Sequence, residues 1–214
     1  ISFCVPFSIG CCPVHASMIA NFARRWQHFC EHYPWISSFA VCYCKGSCSD
    51  IIAQLGIEKK TSIDATRNVA FASFGGWYCG CFQHLVYNVT YNRVYGSGTC
   101  LATVAKKLLT DHFLHVPFVA MPAYYLWQET VLRPLKEEGV SFPRLEPDAL
   151  SDASARWRAE VLEVLRPYWA IWTPAHVMTF KVIPEPLRIT WIASVSFVWL
   201  TVLSLLTHDA WTSD

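Results

Sequence analysis

Eight histidines, ten cysteines and sixteen carboxylates are the groups with which this chain could do chemistry, and their spacing argues against most of it. His28 and His32 stand one helical turn apart, the separation of two imidazoles that share a metal, but no His-Glu-x-x-His frames them and no third ligand lies nearby in sequence. All ten cysteines fall at or before Cys100, in arrangements such as Cys11-Cys12, Cys42-x-Cys44 and Cys79-x-Cys81; none forms the Cys-x-x-Cys of a zinc ribbon or a redox site. They read as small apolar fillers, with a pairing of Cys4 with Cys11 or Cys12 left open. Neither a Gly-x-Ser-x-Gly elbow, a Walker loop nor a dinucleotide fingerprint occurs. No catalysis, no cofactor and no metal is therefore expected. Asn88-Val89-Thr90 fits a glycosylation acceptor at the end of an apolar run, and the C-terminus is not the Ser-Lys-Leu peroxisomal address.

The polar groups that stand inside apolar runs are more informative. Asp50 and Gln54 are one turn apart and share a helix face, whereas Lys45 points elsewhere. An ionisable group at membrane depth costs about 2.5–3.5 kcal/mol, so Asp50 needs a place within a turn or two of the interface or an interior cluster with His84, His176 or Arg188. Ala72, Gly76, Gly80 and His84 recur every four residues and form a stripe where another helix can approach closely. Helix packing accounts for the small residues. His84 continues the stripe and reads either as a structural hydrogen-bonding group or as a group lining a pore.

The elements that must hold these residues follow from where charge is missing. Hydrophobic residues make up 53% of the 214 and charged residues 15%, against about 25% charged in ordinary soluble domains. That balance excludes a disordered or solvating chain, and a net charge of +1 leaves no basic excess for binding nucleic acid. Asn68–Asn92 and Ile189–His208 carry no Asp, Glu, Lys or Arg, nor does His112–Gln128, whose helix can extend to Leu132. Trp35–Leu55 is a fourth apolar run, interrupted by Lys45 and Asp50. About 20 helical residues cross the hydrocarbon layer. The expected fold is therefore an all-α integral membrane four-helix bundle, with spans near 35–55, 68–92, 112–132 and 189–208. A buried helical bundle in water is the other arrangement that could hold such runs.

An N-terminal arm (1–25) precedes a single membrane domain (26–210). The Pro- and charge-rich loop 133–152 belongs in water. Beyond it, Trp157, Val161, Leu165 and Trp169 recur every four residues, predicting an extra amphipathic interfacial helix over 152–166. Residues 167–186, interrupted by Pro174, Pro184 and Pro186, read as a broken or re-entrant segment. Five basic residues fall on one side of the four spans and eleven on the other, but the long loop weakens the rule that would orient them, and orientation stays open. The chain begins at Ile1 rather than Met; cleavage after mitochondrial import and an incomplete record both give that start.

With four spans in place, the landmarks resemble the Mpv-seventeen / twenty-two-kilodalton peroxisomal membrane protein family. Tyr33-Pro34-Trp35 and Asp50 with Gln54 stand where that family has a His-Pro-Trp-like entry and a Gly-Asp-x-x-x-Gln motif. Arg67, Gly75, Gly80, His84 and Tyr87 look like its second-span pattern, and Lys106-Lys107, Asp111, His112 and Pro117 like its Lys-Lys, Asp-Gln and Pro. Trp172, Phe180, Pro184, Arg188, Trp199 and Ser204 keep the spacing of its C-terminal block. The chain departs from the pattern at Ser49, Cys81 and Pro174. It also carries His112 and His176 where the family has Gln, and Thr179 where it has Asn.

The resemblance implies a four-span protein of the mitochondrial inner membrane, favoured here, or of the peroxisomal membrane, with no catalytic chemistry. Two functions follow. One is a weakly selective small-solute pore, with Asp50, Gln54, His84, Tyr87, His176 and Arg188 as pore or polar-cluster residues. The other is an accessory subunit of a large mitochondrial membrane complex, respiratory or ATP synthase, suggested by ten Trp and the uncharged arm. Membrane lipid, other membrane subunits or a second copy of the chain are the expected partners.

Overall fold

The computed structural model describes residues 13–138 and 148–198, and among these every regular element is helical. The all-α class is therefore what the sequence dictated. Helix α1 (Pro13–His32) runs across the boundary expected between arm and domain. Helix α2 (Pro34–Ile52) opens on Pro34, where a missing N–H and a fixed φ cost nothing, and continues as a π-helical turn, Ala53–Ile57. Asp64 caps α3 (Ala65–Phe74) by accepting the Arg67 N–H at 3.0 Å. Helical winding then persists through π-helical Gly75–Phe82 and Leu85–Thr90 into α4 (Tyr91–Tyr95), where Gly96, with φ of +82°, ends it.

A third stretch comprises α5 (Leu101–Thr110), π-helical Asp111–Ala120, α6 (Met121–Trp127), π-helical Gln128–Leu132 and α7 (Arg133–Glu138). Helix α8 (Ala149–Lys181) follows, then a 3₁₀ turn at Glu185–Leu187 and a helix over 188–198. Among the described residues no helix is long and apolar enough to cross a membrane. The α and π segments nonetheless abut without interruption over 34–57, 65–95 and 101–138, covering the first three expected spans. Trp199 and the rest of the fourth span, residues 1–12 with Cys4, Cys11 and Cys12, and 139–147 of the expected wet loop lie outside the described residues.

The π-helical winding of Gly75–Phe82 and Leu85–Thr90 suits the four-residue stripe this stretch carries. A strict α-helix advances about 100° per residue, so a stripe repeating every four residues drifts by about 40° at each step. Wider turns straighten it. Ala72, Gly76, Gly80 and His84 are accordingly all buried, together with Gly75 and Tyr87. The stripe packs on α2 at backbone distance: a methyl group on Gly75 would lie 2.5 Å from the Cys42 carbonyl oxygen, and one on Gly80 2.6 Å from that of Ser38. On the opposite side of the seam, Gly46 presses against the Phe71 carbonyl.

Prolines in the third stretch free two carbonyls, and α8 satisfies both. With i→i−5 bonding, Pro117 leaves the His112 carbonyl without a donor and Pro122 leaves that of Pro117. The Trp169 indole N–H donates to His112 O at 3.4 Å and the Trp157 indole N–H to Pro117 O at 2.7 Å. The recurrence of Trp157, Val161, Leu165 and Trp169 thus faces a neighbouring helix, around a core of Val116, Met121, Tyr125, Ala153 and Leu165.

The sequence placed a helix over 152–166 and a broken segment over 167–186. Both belong to α8, which continues through Pro167 and Pro174 and ends at Lys181. The carbonyls those prolines free under i→i−4 bonding belong to Glu163 and Ala170, both exposed residues. Beyond Pro174, burial of Ala175, His176, Thr179 and Phe180 fixes the last turns.

Candidate functional site

Three groups of polar side chains are enclosed between the helices. The first joins α2 to the start of α3. Asp50 is 3% exposed, and its Oδ1 lies 2.9 Å from Arg67 Nε, while Oδ2 accepts from Gln54 Nε2 at 2.7 Å and Asn68 Nδ2 at 3.2 Å. Gln54 Oε1 in turn accepts the Asp64 backbone N–H at 2.6 Å, fixing the residue that caps α3. The Arg67 guanidinium reaches outward to both oxygens of Glu58, at 2.7 and 2.9 Å. These hydrogen bonds hold the Glu58 carboxyl below its usual range. Outside this group lies a cleft of about 470 Å³ lined by Glu58, Lys60, Asp64, Arg67, Phe71 and leucines 132 and 135.

The second group lies about 18 Å farther along α2, twelve residues at 1.5 Å each. His84 Nδ1 is 3.0 Å from Ser38 Oγ and 3.2 Å from Asn88 Nδ2. One turn on, Asn92 Oδ1 accepts from Lys107 Nζ at 2.6 Å and from Arg188 Nη1 at 3.5 Å, and Asn92 Nδ2 donates to Glu185 Oε1 at 2.8 Å. Lys107 and Arg188 are both buried, each 5.7 Å from the centre of the Phe180 ring. Asp50 therefore does not meet His84, His176 or Arg188, the interior cluster that its sequence allowed. The distance along α2 is too great, and Arg67, one turn into α3, is the cation within reach.

The third group centres on Asp111, which is fully buried. Its Oδ1 accepts from His115 Nδ1 at 2.8 Å and the Tyr91 hydroxyl at 3.4 Å; its Oδ2 accepts from the Tyr168 hydroxyl at 3.1 Å. His176 Nδ1 and His112 Nδ1 face the same Oδ2 at 3.3 and 3.7 Å. Tyr87, 1% exposed, sets its ring edge-on to those of His176 and His115.

The structure thus pairs Asp50 with Gln54, links Arg188 to the Asn92 end of the His84 group, and puts His176 beside Tyr87. It adds residues the sequence did not single out as a site: Asn92, Lys107, His115, Tyr168 and Glu129, the last paired with Arg156 at 2.9 Å and Arg133 at 3.2 Å. Asp111 and His115 do carry a sequence signal, the one-turn spacing on an apolar helix. His28 and His32 lie on the exposed face of α1 with their rings stacked 4.0 Å apart, and His32 Nδ1 is 2.9 Å from the His28 carbonyl.

Two comparisons with known proteins bear on this arrangement. The profile described as the Mpv17 / PMP22 family matches residues 144–204. PXMP2/4 family protein 2 of Dictyostelium discoideum is 25% identical over 147 residues, 69% of this chain and 67% of that protein. Over residues 144–204 the chain is similar to the Mpv17 / PMP22 family. No solved structure matches it. Of the landmarks that carry the resemblance, Trp172 and Phe180 lie in the core beside Tyr87 and Tyr91, Pro184 marks the end of α8, and Pro34 starts α2. Trp35 sets its ring 4.8 Å from that of His84.

Proposed function

We propose that this chain is a non-catalytic, four-span protein of an organellar membrane that lets small polar solutes pass. The observation that carries the reading is an inverted distribution of polarity. Thirteen polar or ionisable residues are buried among the described ones, including Asp50, Gln54, His84, His176 and Arg188, while Trp77, Phe113, Leu114 and Phe118 are more than half exposed. A water-soluble bundle arranges these classes the other way round. Polar groups retained at membrane depth mark solute paths, and the cleft beside Arg67 gives the Asp50 group an opening. This reading takes the continuously wound segments 34–57, 65–95 and 101–138 and the apolar run 189–208 as its four spans. The mitochondrial inner membrane is favoured over the peroxisomal membrane as their location.

Purified protein in planar bilayers is expected to carry current, and Asp50→Asn to alter its ion preference. Folded protein that conducts at no voltage or pH refutes the pore. One feature favours the second reading, an accessory subunit of a larger mitochondrial membrane complex: an aromatic groove of about 360 Å³ lined by Phe74, Trp77, Tyr78, Phe82 and Trp127. Under that reading the chain co-migrates with other subunits in native electrophoresis in gentle detergent. Migration only as a small free species excludes it.

A further inference from the structure

We propose that Asp111, His112 and His176 bind one divalent cation of the zinc class, buried between the third helical stretch and α8. The donor set is one carboxylate and two imidazoles, which suits zinc and its neighbours and not calcium or magnesium. One ligand atom from each residue lies within 4.8 Å of the other two. The closest approaches, 3.3 Å from His176 Nδ1 and 3.7 Å from His112 Nδ1 to the same Asp111 oxygen, bracket the separation of about 3.3–3.5 Å between ligands held at about 2.0–2.1 Å around a tetrahedral ion.

Hydrogen bonding separates this arrangement from an ordinary polar core. His176 is 1% exposed, yet neither ring nitrogen has a hydrogen-bond partner, and His112 Nδ1 has none either. Buried imidazoles are normally paired. Here two nitrogen atoms, His176 Nδ1 and His112 Nδ1, face one carboxylate oxygen without donating to it in hydrogen-bond geometry, as a shared cation requires. The surrounding contacts are those that orient ligands: His112 Nε2 is 3.1 Å from Thr173 Oγ1, directing a lone pair on Nδ1 towards Asp111, and His115 and Tyr168 hold the carboxylate itself. The site does not depend on the pore reading, since a conducting and a non-conducting protein can both hold it.

The test uses the full chain in detergent, stripped with a chelator and titrated with Co(II). One equivalent per chain is expected, with ligand-field bands in the visible, no thiolate charge-transfer band, and displacement by Zn(II). His112→Gln and His176→Gln, which replace each imidazole by an amide, weaken binding at least tenfold, and Thr173→Val weakens it about tenfold through ligand orientation. A His28→Gln/His32→Gln double variant binds like the wild type. Failure of the wild type to take up an equivalent overturns the site whatever the variants do. So does a spectrum dominated by thiolate, or uptake unchanged in folded His112→Gln and His176→Gln.

Discussion

Replacing Gly80 by alanine measures how closely α2 and the second helical stretch are held together. The added methyl would lie 2.6 Å from the Ser38 carbonyl oxygen and 2.9 Å from Ser38 C and Phe39 Cα. Ordinary contact is about 3.5 Å, so the helices must separate by several tenths of an ångström to nearly an ångström. The opposing atoms are backbone and cannot rotate aside. Overpacking of this kind costs about 1–3 kcal/mol, and the upper end applies because Gly46 and Gly75 make similar contacts along the same seam. Alanine's better helix propensity returns about 0.5–1 kcal/mol, leaving a net loss of about 2 kcal/mol. At Gly56 the nearest atom to an added methyl is Ile52 Cγ2 at 4.0 Å. Gly56→Ala therefore keeps the propensity gain without the clash. At Gly76 the obstacle is the Phe39 ring, a side chain that can turn, so Gly76→Ala falls between the two. The assay is chaotrope unfolding in mild detergent followed by circular dichroism. If Gly80→Ala proves as stable as Gly56→Ala, the close backbone contact is wrong.

Other consequences follow from single contacts. Trp157→Phe removes the donor to the carbonyl that Pro122 frees and costs about 1–3 kcal/mol, whereas Trp169→Phe, whose bond is 3.4 Å rather than 2.7 Å, costs less; the order of their melting temperatures checks this. Arg67→Gln leaves Asp50 buried without its cation and costs about 3 kcal/mol, the low end for a broken buried pair because Arg67 is itself a quarter exposed. Glu58, held below its usual pKa by Arg67, contributes stability that is present at neutral pH. This is lost as the pH falls from the ordinary glutamate value of about 4.3 through the lowered one. A melting-temperature profile from pH 7 to 3 is therefore expected to flatten on its acid side in Glu58→Gln.

The helical class and the close-packed stripe were legible because both are written in local periodicity. Apolar runs located the first two helical stretches to within a few residues, whereas the third begins at Leu101 rather than near His112 and runs on to Glu138. Lys106, Lys107 and Asp111 bound the charge-free run, yet Lys107 and Asp111 are both buried, Lys107 donating to Asn92 at 2.6 Å. Pro174 misled in the opposite sense, since a proline signals a break only where packing does not hold the helix together. Within the candidate site, Asp50 and Gln54 share a helix face and could be paired by eye. The Asp111 group could not, because His176 is 65 residues from Asp111 and joins it only through the packing of α8. Spacing drew attention instead to His28 and His32, where adjacency in sequence leads to no third ligand.

The tryptophan bonds to the carbonyls of His112 and Pro117 also bear on the order in which the protein assembles. Residues 111–122 are synthesised well before Trp157 and Trp169, so the third helical stretch enters its surroundings with two backbone acceptors open. In lipid such a gap is tolerated only where protein or water fills it. This stretch is therefore not an autonomous unit that docks after it is complete. It is finished by α8, and a chain truncated before Trp157 should remain a substrate for quality control even though every one of its preceding helices is present.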